Sequence, residues 1–569
     1  MRGEAAGVVN RASGYNNAHD RTLVQSSGAD VVAKEMPVTV ISTVGVVGLG
    51  TMGAGILEVF AKQGLTCVAV EVNAQALDRG RDILEASLTR AMERGKLTQE
   101  AAESARALIE WSLDLDRLAD VDLVIEAVPE RMEIKRDLFG RLDALCKPDT
   151  ILATNTSSLS VTAIAACTNR PDRVVGMHFF NPAPAMKLVE VIETVLTDSA
   201  VTDAVVDLAR ACGKTPITVG DRAGFVANTL LISYLNDAIR LLESRAVGRD
   251  DLDSALVKGA GMPMGPLALA DLIGLDVCLE VMEVLFDESR DPVHAPAPLL
   301  RSMVAAGLLG RKTARGFYTY ERAGSGRTVT DEQVPVGREG LTPPSSVIVV
   351  GDGQPETMLI ATLRDAGIAV TQVSFDEFDP ALVPIDHVVL VGVKRVQRAR
   401  DIAVQMDGRR GDVVGMQLMP PTAAGQAVEV VCTPFTSERA RDEAIALAAV
   451  IGAAPTVCYD GAGQVLIRLL LPMFNDAVRL AESKYACPDD IDTAMRLGCG
   501  FPKGPVEWLE TFTLKVVCDS LEEIYQNTGF VRHRPAGLLV DAAAYEMSIR
   551  QIGRARVGKE CRSRWSPYH

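Results

Sequence analysis

Residues 44–71 read VGVVGLGTMGAGILEVFAKQGLTCVAVE, five features in a fixed order. Val44–Val47 is a short β-branched run, the pattern of a buried strand. Gly48-Leu49-Gly50-Thr51-Met52-Gly53 follows, then a helical pattern that Gly64 stops, then the apolar run Cys67–Val70 ending at Glu71. Strand, GxGxxG, helix, strand and acid is the order of a dinucleotide-binding unit. Gly48 allows the tight turn and Gly50 lets backbone amides approach a pyrophosphate. Gly53 lets the helix pack close, so that its N-terminus, beginning with Thr51 and Met52, faces the phosphates. Glu71 would accept from ribose hydroxyls and repel a 2′-phosphate, which favours NAD over NADP. A lone GxGxxG is a weak signal, and a glycine turn in another α/β protein is the plain alternative; the full context makes it specific.

Composition sets the outer limits. The chain has 569 residues, enough for several domains, and a net charge of −16, which leaves no basic face for nucleic acid. Aromatics are only 5%, too few for base-stacking platforms. Eleven cysteines are scattered without a CxxC, which suits reduced thiols in a cytoplasmic protein better than disulfides or a metal site. The most apolar run, 465–474, carries Arg468 and Pro472, so no membrane span is expected. Residues 1–37 are polar and lack a signal-peptide core, and a disordered extension is expected there, with Met36 as an alternative start. Arg2, Arg11 and Arg21 would suit a transit peptide, but Glu4, Asp20 and Asp30 argue against one.

Residues 74–110 read as a helical hairpin inserted after the second strand. Its Arg79, Arg81, Arg90, Arg94 and Lys96 form either a solvated face or a patch for the phosphates of an acyl carrier. Asp122–Glu126 and Ile151–Thr154 are further strands, and their exit loops carry Glu130 and Asn155-Thr156-Ser157-Ser158. Such loops leave the carboxyl ends of parallel strands, where open α/β sheets bind ligands. For Ser157 alone, a helix N-cap is the plain alternative.

The stretch VVGMHFFNPAPAMKLVEV, 174–191, reads as two strands joined by a turn at Pro184. His178 and Glu190 lie six residues either side of that proline and face each other in an antiparallel hairpin. A carboxylate beside an imidazole fixes its tautomer and raises its basicity, as a general base requires. A hydrogen-bonded core histidine is the alternative. Ile217–Val219 is a last strand, and from Gly224 to about 320 the pattern is helical.

Beyond 321–346, a Gly-, Pro- and Ser-rich linker, the chain repeats itself. Val413-Val414-Gly415-Met416-Gln417 matches Val174-Val175-Gly176-Met177-His178 at an offset of 239. Asn236-Asp237 matches Asn475-Asp476 at the same offset. The glycine loops, Gly48 and Gly351, are offset by 303, so the second copy is 64 residues shorter between loop and hairpin. That is enough to have lost the helical insertion. In the second copy Gly53 becomes Glu356, His178 becomes Gln417, Asn181 becomes Pro420 and Asn228 becomes Ile467, while Glu190 persists as Glu429. Glutamine cannot act as a base near neutral pH, so this copy is expected to be silent.

The expected architecture is α/β. A Rossmann-type NAD-binding domain with a helical insertion (38–220) is followed by an all-α domain (221–320), and then by the linker. A degenerate Rossmann-like domain (347–460), a second all-α domain (461–553) and a tail (554–569) complete the chain.

The motifs GLGTMGAGI (48–56), EAVPERMEIK (126–135), TNTSSL (154–159), GMHFFNP (176–182), MKLVEVI (186–192), GFVANTLL (224–231), GAGMPMGP (259–266) and GRKTARGFYTY (310–320) resemble the L-3-hydroxyacyl-CoA dehydrogenases, including the 3-hydroxybutyryl-CoA dehydrogenases. The resemblance implies a catalytic pair at His178 and Glu190, and substrate contacts at Ser157 and Asn228. It implies NAD contacts at Gly48, Gly50, Thr51, Met52, Gly53, Glu71, Glu130, Lys135, Asn155 and Asn181, with no metal. The substrate it implies is an acyl-CoA. Thr229 departs from the pattern, since relatives often carry arginine there, and this bears on helix packing or acyl preference. Relatives pair their helical domains, so a homodimer or an intrachain pseudo-dimer is expected. A 3-hydroxyadipyl-CoA dehydrogenase and a non-catalytic NAD-binding protein on the same scaffold are the alternatives.

Overall fold

A computed structural model describes residues 40–331, 338–385, 387–392 and 398–557. The extension read at 1–37, and the tail from 558 onward, lie outside the described residues. The first sheet has eight strands: β1 (Thr43–Val47), β2 (Thr66–Val70), β3 (Ile109–Ser112), β4 (Leu123–Glu126), β5 (Ile151–Thr154), β6 (Val174–Phe179), β7 (Leu188–Glu193) and β8 (Thr215–Gly220). They lie in the order 3-2-1-4-5-6-7-8, parallel throughout except for β6 against β7. Strands β4, β5 and β6 are buried along their whole length, as central parallel strands with both faces covered must be.

The insertion differs from its sequence reading. Helices Ala74–Glu93 and Gln99–Ala107 do form a hairpin, but the segment ends in β3, an edge strand paired with β2. Trp111 of β3 is half-buried, and Arg81 covers its ring with the guanidinium carbon 5.0 Å from the centroid. Gly80 lets the first of these helices press on the nucleotide loop, since a Cβ there would lie 2.5 Å from Leu49 Cβ.

The second sheet has six strands: β9 (Ser346–Val350), β10 (Ala369–Val373), β11 (Val389–Val391), β12 (Val413–Leu418), β13 (Ala427–Cys432) and β14 (Ala454–Tyr459), in the order 10-9-11-12-13-14. It repeats the first, with β12 and β13 antiparallel. The shortening is larger than loss of the insertion. Residues 74–112 account for 39 of the missing 64, and β11 alone stands where the first sheet has both β4 and β5. A strand–helix unit has gone as well.

The helical regions pair within the chain. Helices Ala227–Glu243 and Leu466–Glu482 share one hydrophobic core. Between them the buried Arg532 bonds Asp476 at 2.6 Å and also Asp237. Each helical region also touches the other half's sheet. Helix Pro488–Cys499 packs on β7 and β8, while helix Arg249–Ser254 packs on β14. The linker stretch is pinned to the first helical region by Arg249–Asp331 at 2.7 Å and Arg338–Asp251 at 2.6 Å. The last helix, Ile549–Val557, reaches four residues past the boundary read at 553. No described helix is long and apolar enough to cross a membrane, and the described cysteines are all free.

Candidate active site

The antiparallel register places His178 directly opposite Glu190. Imidazole Nδ1 donates to Glu190 Oε2 at 2.8 Å, and the two residues are 6% and 0% exposed. The other carboxylate oxygen accepts from the amides of Val226 and Ala227 at 3.1 and 3.0 Å, where helix Ala227–Glu243 begins. One side chain thus ties the hairpin to the helical region and orients the histidine. With Nδ1–H committed to Glu190, Nε2 carries the free lone pair. The rings of Phe180 and Phe225 flank the imidazole, with centroids at 4.6 and 5.6 Å.

Along the same carboxyl-terminal edge of the parallel strands, with β4 and β5 between, the glycine loop after β1 is built for a pyrophosphate. Gly48 stands at φ +87°, a conformation that suits glycine. A Cβ at Gly53 would overlap the carbonyl oxygen of Gly48, so this position must be bare for helix and loop to meet. Nothing lies within 4 Å of where a Cβ would sit on Gly50, which leaves an open cradle at the helix N-terminus. No side chain caps that helix at Gly50, so its first amides, from Thr51 and Met52 onward, remain for an anion. Glu71 ends β2, where it accepts from Leu49 N at 2.7 Å and Val72 N at 2.8 Å, held beside the loop. These features fit NAD.

Between loop and histidine lies a charged network of Glu126, Glu130 and Lys135. Glu126, at the buried end of β4, accepts from Lys135 Nζ at 2.7 Å and from the hydroxyl of Thr154. Lys135 also pairs with Glu130 at 3.3 Å. Lys135, 1% exposed, braces Glu126 and Glu130. Glu130 Oε1 gathers the hydroxyl of Thr156 at 2.6 Å and the amide of Ser157 at 2.9 Å. Burial alone would raise the Glu130 carboxyl, but the Lys135 charge and these donors hold it below the ordinary carboxylate range. Asn228, in the first turn of helix Ala227–Glu243, reaches Ser157 O at 3.5 Å. Asn155 Oδ1 accepts from Phe179 N at 2.9 Å, tying β5 to the residue after the histidine. Asn181 is exposed and its side chain bonds none of the others. Thr229 bonds backward to Phe225 O at 2.7 Å, which shapes the turn carrying Phe225. Glu126 was missed although its signal was present: an acid closing the apolar strand Leu123–Glu126.

Residues 43–222 match the model of the 3-hydroxyacyl-CoA dehydrogenase NAD binding domain. The model of that family's C-terminal domain matches twice, at 224–320 and 463–554. The chain belongs to the 3-hydroxyacyl-CoA dehydrogenase family. It is therefore an NAD-dependent oxidoreductase acting on a CH–OH group. It is 33% identical over 507 residues to a 3-hydroxyadipyl-CoA dehydrogenase of Escherichia coli K12, covering 89% of this chain and 98% of that one. A 3-hydroxybutyryl-CoA dehydrogenase of Clostridioides difficile is 46% identical over 277 residues, covering 49% of this chain and 99% of its own. A crystal structure of 3-hydroxybutyryl-CoA dehydrogenase from Escherichia coli K12 superposes with a TM-score of 0.75 at 33% identity, covering 89% and 99% of the two chains.

Within this dehydrogenase chain the second half keeps the frame and carries a glutamine in place of the histidine. Gln417 stands opposite Glu429, and Glu429 Oε1 still accepts from the amides of Val465 and Leu466 at 3.1 and 3.0 Å. The buried Glu356 fills its own glycine loop, since a Cβ on Gly351 would lie 2.7 Å from its Cγ. Yet the second half does reach the dehydrogenase site. A Cβ on Gly498, in helix Pro488–Cys499, would lie 2.6 Å from Leu188 Cδ2 and 3.1 Å from the ring of Phe180. This helix backs the phenylalanine that flanks His178.

Proposed function

We propose that the first half oxidises an L-3-hydroxyacyl-CoA to the 3-oxoacyl-CoA, with short substrates of the 3-hydroxybutyryl type preferred. The observation that carries this is the His178–Glu190 pair, buried and fixed to the helical region, with Nε2 left free. His178 Nε2 takes the proton of the substrate's 3-hydroxyl, and Glu190 stabilises the imidazolium that forms. Ser157 and Asn228 orient the 3-oxygen. Glu130, braced by Lys135, holds the Ser157 loop in place. Bound NAD supplies the hydride acceptor. Glu71, Asn155 and Asn181, with the glycine loop, are proposed to line its site. Phe180 and Phe225 around the imidazole favour a small apolar acyl group.

A second reading, 3-hydroxyadipyl-CoA as substrate, rests on one observation. A relative that matches both halves, over 98% of its length, is named for that substrate. Comparing kcat/KM for 3-hydroxybutyryl-CoA and 3-hydroxyadipyl-CoA separates the two. A ratio of at least ~10 for the butyryl substrate, worth ~1.4 kcal/mol, supports the first reading, and the reverse ratio supports the second. No NADH from either contradicts both. We further infer that the paired helical regions act as an intrachain pseudo-dimer, in a division at about 220, 320, 346 and 460. A cytoplasmic setting is the reading that the free cysteines support.

A further inference from the structure

A cavity of about 550 Å³ opens where the first helical region meets the second sheet. Its walls include Arg245, Ala246 and Arg249 from one side, and Thr433, Arg441 and Tyr459 from the other. Its lining residues include three arginines and no Asp or Glu, in a chain of net charge −16. Their charges are not equally engaged. Arg249 is buried and already bonded to Asp331 and Asp250. Arg441 meets its neighbour Asp442 at 2.9 Å. The exposed Arg245 guanidinium has no hydrogen bond or ion pair among the described residues.

The chain contains a closed version of this junction. At the offset of 239, Ala246 corresponds to Tyr485, Tyr459 to Gly220, Arg249 to Pro488 and Arg441 to Thr202. Tyr485 is buried against the first sheet, its hydroxyl donates to Gly220 O at 2.8 Å, and Arg222 covers its ring at 4.5 Å. Where the twin junction has that tyrosine, this one has an alanine and an open space. The backbone contact survives, with Tyr459 N donating to Ala246 O at 2.8 Å. The opening is therefore not a failure of the two halves to meet.

We propose that this junction cavity binds a small dianion, a phosphate or a short dicarboxylate, clamped between Arg245 of the first half and Arg441 of the second. Guanidinium pairs suit planar or tetrahedral oxyanions. Because the two arginines belong to different halves, the bound anion also stabilises their contact.

The test uses the full chain at low ionic strength with NAD saturating, so that the glycine loop does not compete. Inorganic phosphate, succinate and acetate are titrated by calorimetry, and melting is followed in parallel. One site per chain is expected for phosphate or succinate, with a raised Tm and acetate at least ~10-fold weaker. Binding of phosphate alone assigns the site to phosphates, and binding of succinate alone assigns it to dicarboxylates. Ala246→Tyr, which copies the closed twin, should weaken binding at least ~10-fold, as should Arg245→Gln with Arg441→Gln, both with circular dichroism unchanged. No binding of either dianion up to about 10 mM overturns the proposal, as does equal binding of acetate or undiminished binding in the double arginine variant.

Discussion

At Glu190 one carboxylate oxygen accepts a hydrogen bond from the imidazole Nδ1–H and the other accepts from two helix amides, whereas at Glu429 only the amides remain. Glu429 Oε2 and Gln417 Oε1 are buried without partners. Burial pushes the Glu429 carboxyl up to about 7 from 4.5, against the opposing pull of the Leu466 and Val465 amides. The folded chain therefore holds a proton at this group that the unfolded chain has released between pH 4.5 and 7. The associated stability is fully present below 4.5 and is lost as pH rises through 7, by up to about 3 kcal/mol. Glu429→Gln keeps the acceptor for the amides and removes that dependence. Melting curves should show the variant gaining stability over wild type at pH 8 and not at pH 5; parallel pH profiles would refute the assignment. His178 was legible in the sequence because strand alternation around Pro184 fixes what it faces. For Glu126 the sequence shows only an acid closing an apolar strand; what that acid does depends on Lys135 returning to it across a loop, which no local pattern records.

Helices and strands were legible where their period was strong, as in β1, β2 and helix Ala227–Glu243. The short edge strand β3 was not, since its four residues, three half-buried and one exposed, alternate too briefly to stand out after two helices. Nor could a sequence show that helix Pro488–Cys499 packs on the other half's sheet, because that contact is tertiary. It has a functional consequence. Gly498→Val would drive the helix surface into Leu188 and the Phe180 ring, and overpacking of this kind costs ~1–3 kcal/mol. Turnover should fall about 10-fold through displacement of Phe180 from His178, with NADH affinity unchanged. Steady-state assays beside NADH fluorescence titration check this, and an unaffected kcat would remove the second half from the site.

Across the whole molecule the two halves are held together by an asymmetric bond. Arg532 bonds both Asp237 and its repeat counterpart Asp476, and the residue at the corresponding place in the first half is Val293. Burial raises both aspartates, and the Arg532 charge opposes it. Arg532→Met leaves two buried acids without that cation and should cost ~3–5 kcal/mol in urea denaturation, recovered when Asp237→Asn and Asp476→Asn are added. A cost within error of zero would show that the halves do not depend on this bond. The repeat itself was legible from its offset of 239, but the loss of a strand–helix unit was not, because a length deficit does not say which elements are missing. On the proposed reading the chain has one catalytic centre, with the second half as its support. His178→Gln turns the working hairpin into the residue that the second half already carries. Turnover of acetoacetyl-CoA with NADH should fall at least ~10²-fold while NADH binding is retained, and near-normal turnover by that variant would contradict the account.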